Sequence, residues 1–115
     1  MKVIVLASLS LDFALRIVNL YKYLCNDKSE FVMSKQLLRC GTSIGANIAE
    51  SEHAQSTADF ITKLYIALKE ANETKYWLTL LYRAEYLSEI EFESMMKDLR
   101  IILGTLVNTI KKTKE

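Results

Sequence analysis

The chain has 115 residues, half of them apolar and a quarter charged, and its formal net charge is only +1. This composition is apolar enough for a folded core and excludes a disordered chain. The near-zero net charge also excludes an overall field that would attract the protein to nucleic acid or to an anionic membrane. Any such binding must therefore depend on local patches of charge.

The absence of segment boundaries predicts one domain covering residues 1–115, because no stretch rich in Pro, Gly or Ser divides the chain. The sequence has no proline and three glycines, whereas sandwiches and barrels need many turn residues. No stretch approaches the ~20 apolar residues of a membrane span. Cys25 and Cys40 lie in apolar helical patterns and are expected to be reduced thiols. We therefore expect a soluble, cytoplasmic protein with no membrane partner.

Apolar residues at spacings of three and four predict four amphipathic helices, with expected bounds of about 10–26, 30–50, 56–86 and 89–111. Ser56 and Ser88 are typical N-caps, and Glu91 completes a capping box with Ser88. Short links between four such segments predict an all-α fold, an antiparallel up-down-up-down four-helix bundle.

Two predicted helices have unusual faces. Gly41, Gly45 and Ala49 recur every four residues on the second helix, which predicts that another helix approaches its backbone closely. The second half of the third helix is apolar around nearly its whole circumference, which predicts neighbours on more than one side. Trp77 lies in this half and is a candidate contact between subunits.

The sequence offers no set of residues for catalysis. His53 is the only histidine, so neither a histidine metal site nor a Ser-His-Asp arrangement can form within one chain. Glu50 and Glu52 face different directions and are a poor pair for acid-base chemistry. We therefore predict a protein that is not an enzyme, with no catalytic residue, no cofactor and no metal.

Polar residues beside the apolar stripe of the second helix have two interpretations, an ordinary solvated shoulder or a hydrogen-bonded seam against another helix or subunit. They are Gln36, Ser43, Asn47 and Glu50. Lys75 projects onto the apolar face of the third helix, where an ammonium group needs a partner or a route to solvent. Glu50 and Glu85 are both candidate partners for Lys75.

Residues 37–50, with the motif Ser43-Ile44-x-Ala46-Asn47-Ile48-Ala49-Glu50, and residues 60–71 resemble a bacterial four-helix bundle family. Its founding members are encoded in intervening sequences of large-subunit ribosomal RNA genes, and it is often labelled S23 ribosomal protein. The resemblance covers nearly the whole chain from Leu9. The chain differs from many relatives at Gly45 and Ser51, where they have Pro and Gly.

A related branch, the accessory variability determinant of diversity-generating retroelements, forms homopentameric barrels and binds nucleic acid through basic surfaces. The resemblance therefore implies a homo-oligomer, with a pentamer favoured, and a possible partner in structured RNA or a nucleic-acid complex. The basic residues that could contact such a partner are Lys35, Arg39, Lys111, Lys112 and Lys114.

Those basic residues also have a simpler interpretation, an ordinary solvated surface. The alternative function is a protein-protein interaction scaffold with no nucleic-acid role, which the near-neutral charge favours.

Overall fold

The computed structural model describes residues 2–115, with side chains from Val5 onward. Four helices account for nearly all of this range: α1 Lys2–Asn26, α2 Met33–Ser51, α3 Thr57–Arg83 and α4 Glu89–Lys114. Each helix packs against two others, α1 and α3 both contacting α2 and α4. In cross-section the helices therefore lie at the corners of a square. The bundle is 44 Å long and about 20 Å across. The predicted all-α, up-down-up-down four-helix bundle is confirmed.

One shared core fills the centre of the square. Its largest fully buried side chains come from all four helices, and they are Leu6, Phe13, Ile17, Leu24, Leu37, Ile44, Ile48, Leu64, Leu78, Leu81, Met96 and Leu99. Cys40 is buried among them, Cys25 is half-buried, and both are free thiols. Burial raises the pKa of the Cys40 thiol, so this residue behaves as a small apolar side chain.

The predicted start of the first helix at residue 10 was wrong, because α1 begins at Lys2. Leu6 is fully buried and precedes the buried Phe13 by two helical turns, so the apolar stripe continues toward the N-terminus. The Ser10 hydroxyl donates to the carbonyl of Ala7 at 3.3 Å within the helix and does not cap it. The serines near this point therefore do not mark a helix start.

The second helix begins at Met33, three residues later than predicted, because Glu30 folds back over its first turn. The Glu30 carboxylate accepts from the backbone N–H groups of Val32, Met33 and Ser34 at 3.1, 2.9 and 2.7 Å. Burial acts to raise the pKa of Glu30, but these hydrogen bonds outweigh it and the pKa is lowered. The stability that this ionised cap contributes is therefore present near neutral pH and is lost as the pH falls through the lowered pKa.

The C-terminal ends of α3 and α4 each differ from prediction by three residues, and the remaining ends agree within one residue. The third helix stops at Arg83 rather than residue 86, because the chain turns through Glu85, whose φ is 67°. The capping box of α4 is confirmed: the Ser88 hydroxyl accepts from the Glu91 N–H at 3.1 Å, and the Glu91 carboxylate accepts from the Ser88 N–H at 2.8 Å. The fourth helix continues to Lys114.

The close approach predicted for the second helix is confirmed at the contact between α1 and α2. A Cβ atom on Gly41 would lie 2.8 to 2.9 Å from three side-chain atoms of Ile17. A Cβ atom on Gly45 would lie 3.4 Å from the Ser10 carbonyl oxygen, which is an ordinary contact. Gly104 on α4 is different, because a Cβ atom there would meet nothing within 4 Å.

We expect alanine substitutions at the three glycines to have different effects on stability. Gly41→Ala should lower the free energy of unfolding by about 1 to 3 kcal/mol, because overpacking against Ile17 exceeds the gain in helix propensity. Gly104→Ala should raise it by up to about 1 kcal/mol, because the gain meets no steric cost. Gly45→Ala should fall between them. Urea denaturation of the three variants measures this order, and a Gly41→Ala protein as stable as Gly104→Ala would contradict the close approach.

Candidate nucleic-acid interface

The basic residues proposed from the sequence fall into two distant groups. Ser51 at the end of α2 and Thr113 near the end of α4 line the same cavity, so both helices finish at one end of the bundle. Lys111, Lys112 and Lys114 are therefore at this end. Lys35 precedes Ser51 by roughly 24 Å of helix at ~1.5 Å per residue. The five residues do not form one patch.

Arg39 belongs to a charged network between α2 and α3. Its guanidinium donates to Glu70 at 3.0 Å and also to Glu73. The indole N–H of Trp77 donates to the same Glu73 carboxylate at 3.1 Å. The bond from Arg39, followed by that from Trp77, lowers the pKa of Glu73. Two carboxylates neutralise the Arg39 guanidinium, so this residue is poorly suited to contact a phosphate.

Of the four polar residues beside the apolar stripe of α2, three fit a solvated shoulder and one fits a seam against another helix. The Ser43 hydroxyl donates to the Arg39 carbonyl at 2.7 Å, and the Asn47 amide donates to the Ser43 carbonyl at 2.9 Å, so both bond within their own helix. Gln36 is exposed. Glu50 does reach α3, where its carboxylate lies 3.1 Å from the ammonium nitrogen of Lys63.

The seam between α2 and α3 is therefore made mainly by charged side chains, and the sequence reasoning missed Lys63, Glu70 and Glu73. Its members are Arg39, Glu50, Lys63, Glu70, Glu73 and Trp77. The sequence does contain a sign of this seam. Glu70, Glu73 and Trp77 are three and four residues apart, so they lie on one side of α3.

Lys75 is exposed, so its ammonium group has the route to solvent that this position on the apolar face requires. Leu64 and Leu78 on that face are fully buried, but Lys75 stands at the edge of α3 and reaches solvent beside α4. Glu50 pairs with Lys63 instead, and Glu85 lies in the turn after α3.

The apolar second half of α3 is partly covered by its own subunit. Trp77 packs against the core, and the Tyr82 ring stacks on Phe92 of α4 with centroids 4.5 Å apart. Tyr76 meets the Trp77 ring edge-on and stays 58% exposed. The requirement for neighbours on several sides is thus met in large part by α2 and α4.

A group of exposed cations lies on the outer face of α3 and α4, which we call the α3–α4 face. Helical steps of 100° place exposed basic residues from both helices on it, and they are Lys69, Lys75, Arg100, Lys111 and Lys114. Glu93 lies 3.6 Å from Arg100 and offsets part of this charge. Lys112 points toward the neighbouring α1–α4 side by the same geometry.

An aromatic residue that the sequence reasoning missed stands on the α3–α4 face. Tyr65 is 45% exposed, and the Lys114 ammonium donates to its hydroxyl at 3.3 Å. The same ammonium nitrogen lies 5.6 Å from the centroid of the Tyr65 ring. Lys69 follows Tyr65 by one turn of α3. Basic residues interleaved with an exposed aromatic ring are typical of surfaces that bind single-stranded nucleic acid.

Within the described chain, no group of three or more His, Cys, Asp or Glu side chains is placed to hold a metal ion. The helices from Lys2 to Lys114 also include none that is long and apolar enough to cross a membrane.

A family profile described as "23S rRNA-intervening sequence protein" matches residues 3–108. The chain belongs to this family. It is also similar to a protein of unknown function from the S23 ribosomal protein family of Bacteroides thetaiotaomicron VPI-5482, known from a crystal structure. The two are 61% identical, with a TM-score of 0.95 over 96% of this chain and 99% of that chain. A comparison with curated proteins finds no match. The resemblance seen in the sequence is confirmed, and neither match indicates an enzyme family.

We expect Trp77→Ala to destabilise the subunit without changing its assembly. Loss of the half-buried ring and of the bond to Glu73 should lower the free energy of unfolding by about 2 to 3 kcal/mol. Trp77→Phe keeps most of the packing and should cost about 1 kcal/mol. Urea denaturation measures both values, and light scattering measures the mass. A lower mass for Trp77→Ala at the same concentration would show that Trp77 contacts another subunit.

Proposed function

We propose that the protein is a non-enzymatic homo-oligomer that binds structured RNA through the α3–α4 face. The observation that carries this proposal is the excess of cations on that face in a chain whose net charge is only +1. Two of the arginines elsewhere are neutralised by carboxylates, since Arg39 pairs with Glu70 and Glu73, and Arg16 pairs with Asp98. Contacts between lysine or arginine and phosphate supply most of the affinity of such binding.

The family supports RNA as the polyanion. Its description refers to an intervening sequence of 23S rRNA, and the similar crystal structure is classed with S23 ribosomal proteins. These descriptions name no residue and no binding partner. The α3–α4 face adds to them a definite surface with the charge that a phosphate backbone requires.

Self-association is the second part of the proposal, and the outer surface of α1 and α2, the α1–α2 face, is its expected site. Leu11 and Leu15 are 71% and 61% exposed and form a ridge along α1. Beside the ridge runs a groove of about 330 Å³ with an apolar lining, formed mainly by Ala7, Leu11, Ala14, Gly45, Ala46 and Ala49. A continuous exposed apolar surface of this kind is typical of a protein contact.

The ridge and the groove fit a second copy of this chain. Small residues let the groove accept side chains the size of Leu11 and Leu15, and both surfaces are present on every copy. When the ridge of one copy enters the groove of the next without the reverse contact, the interface is heterologous, and it closes into a ring if the rotation between copies divides a full circle. A five-membered ring, which the family resemblance implies, is the expected form.

The two proposed surfaces are compatible in one assembly. In the square bundle, the α1–α2 face and the α3–α4 face lie on opposite sides. Subunits joined through the first face would therefore leave the second open to RNA. The alternative function, a protein-interaction scaffold, is favoured by the near-neutral charge and by the exposed apolar residues of the α1–α2 face, and it requires no affinity for RNA.

We expect Lys111→Gln/Lys114→Gln to weaken RNA binding about tenfold at low salt, because two phosphate contacts are lost. A fluorescence titration with fragments of large-subunit ribosomal RNA measures the affinity. The slope of log affinity against log salt should fall in magnitude by roughly 1 to 2. Lys28→Gln/Lys35→Gln removes the same charge at the other end of the bundle and should have little effect. No binding by the unaltered protein would reject RNA and leave the scaffold function.

We expect Leu11→Glu/Leu15→Glu to reduce the assembly to monomers at micromolar concentration, because charges would be buried against an apolar groove. Light scattering measures the mass. Ile90→Glu is the matched control, since Ile90 is 84% exposed but lies on α4, away from the α1–α2 face. An unaltered protein that is already monomeric would reject self-association, and equal masses for both variants would reject this face.

A further inference from the structure

A cleft between α3 and α4 differs from the rest of the α3–α4 face because it is both concave and apolar. Its volume is about 380 Å³, and it lies near the end of α4. The residues that line it are Tyr65, Leu68, Val107, Ile110, Lys111 and Lys114. The floor is thus aliphatic, one wall is an aromatic ring, and the rim carries two ammonium groups.

The aromatic wall is accessible to a ligand. The Tyr65 side chain is 45% exposed, and Val107 on the opposite helix is 49% exposed. The ring is held at its hydroxyl edge by the bond from Lys114, which limits its rotation. A flat apolar group could therefore enter between the Tyr65 ring and Val107 without displacing buried side chains.

Gly104 provides a second observation beside the cleft. It precedes Val107 by one turn of α4, and a Cβ atom there would meet nothing within 4 Å. A glycine inside a helix lowers helix stability, and Gly104 has no neighbour in the subunit that requires it. The missing side chain leaves the α4 backbone open next to the cleft, between Arg100 and Lys111 on the same side of the helix.

We propose that this cleft binds an unpaired nucleobase of single-stranded RNA, with the base against the Tyr65 ring and the apolar floor. The adjoining phosphates would lie against Lys111, Lys114 and Lys69, and the backbone would pass over Gly104. This inference rests on the RNA binding proposed above and names the part of the RNA that is recognised. It implies that loops, bulges or ends of a structured RNA bind more tightly than its paired stems.

The composition of the cleft is the reason for choosing an unpaired base over a duplex. A duplex presents phosphates and sugars outward and keeps its bases stacked, so it would use the rim lysines and leave the aliphatic floor unfilled. An unpaired base has an exposed π-face, which stacks on aromatic side chains with little dependence on sequence. The cleft has groups for both parts of a nucleotide, the ring for the base and the ammonium groups for the phosphate.

The test compares a single-stranded RNA of about ten nucleotides, carrying 2-aminopurine, with the same strand in a complementary duplex, using the full chain. The single strand should bind at least about tenfold more tightly, and the 2-aminopurine fluorescence should change on binding as the base stacks. Tyr65→Leu removes the ring but keeps an apolar side chain, and it should weaken single-strand binding roughly tenfold.

Two variants control for the ring and for the position. Tyr65→Phe keeps the ring and should bind within about twofold of the unaltered protein. Tyr76→Leu removes an exposed tyrosine farther along α3 and should also bind normally. Thermal denaturation checks that every variant is folded.

Equal affinity for single strand and duplex, with no effect of Tyr65→Leu, would overturn this inference and leave the proposed RNA binding intact. A loss of binding that is equal for Tyr65→Leu and Tyr76→Leu would also overturn the assignment to this cleft. Failure of the unaltered protein to bind either RNA at low salt would reject the inference together with the proposed function.

Discussion

The contact of α1 with α2 at Gly41 determines the shape of the outer surfaces of the bundle. The Ile17 side chain occupies the space that a side chain at position 41 would need, so the packing of the two helices depends on a glycine there. Their remaining contacts involve small groups, such as Gly45 against the Ser10 carbonyl. The larger apolar residues Leu11 and Leu15 consequently project outward and form the ridge of the α1–α2 face.

The opposite pair of helices meets through large side chains. The Tyr82 ring stacks on Phe92, and Leu68 and Ile110 meet nearer the other end. The distance between packed helices depends on the size of the side chains at the contact. Large side chains from α3 and α4 line the cleft beside Tyr65, whereas mainly small ones line the groove between α1 and α2.

Ion pairs determine which cationic side chains are neutralised within the subunit and which can bind a partner. Arg39 faces Glu70 and Glu73 between α2 and α3, and Arg16 faces Asp98 between α1 and α4. Exposed pairs of this kind contribute only about 0 to 1 kcal/mol each to stability. Their larger consequence is that Arg39 and Arg16 are neutralised, whereas the lysines of the α3–α4 face make no ion pair with any described carboxylate.

The sequence predicted the parts of the fold that depend on local pattern. Steps of three and four located the helix interiors, and the caps at Ser56 and Ser88 are formed as expected. It failed at the start of α1, where the hydroxyl of Ser10 bonds within the helix, and at Glu30, whose side chain caps α2 from three residues before it. Both errors concern local hydrogen bonds of polar side chains, which the spacing of apolar residues does not reveal.

The candidate site was harder to predict because charge neutralisation acts between distant parts of the sequence. Arg39 was chosen as a phosphate contact for its charge, but its carboxylate partners are 31 and 34 residues away. Tyr65 was overlooked because Lys114, which contacts it, is 49 residues away. The pattern of one helix shows which residues share a face, but not what the neighbouring helix presents there.

The near-neutral charge of the subunit is consistent with RNA binding by an assembly. A strongly basic subunit would repel its copies, whereas this chain can bring its apolar α1–α2 faces together with little electrostatic cost. In a ring, each copy would present its own α3–α4 face. Binding at one face then raises the effective concentration of RNA at the others, so weak sites can give strong overall binding without further contacts. The low net charge gives one chain only a weak electrostatic field. It would nevertheless favour an assembly, in which the local basic patches of several copies act together.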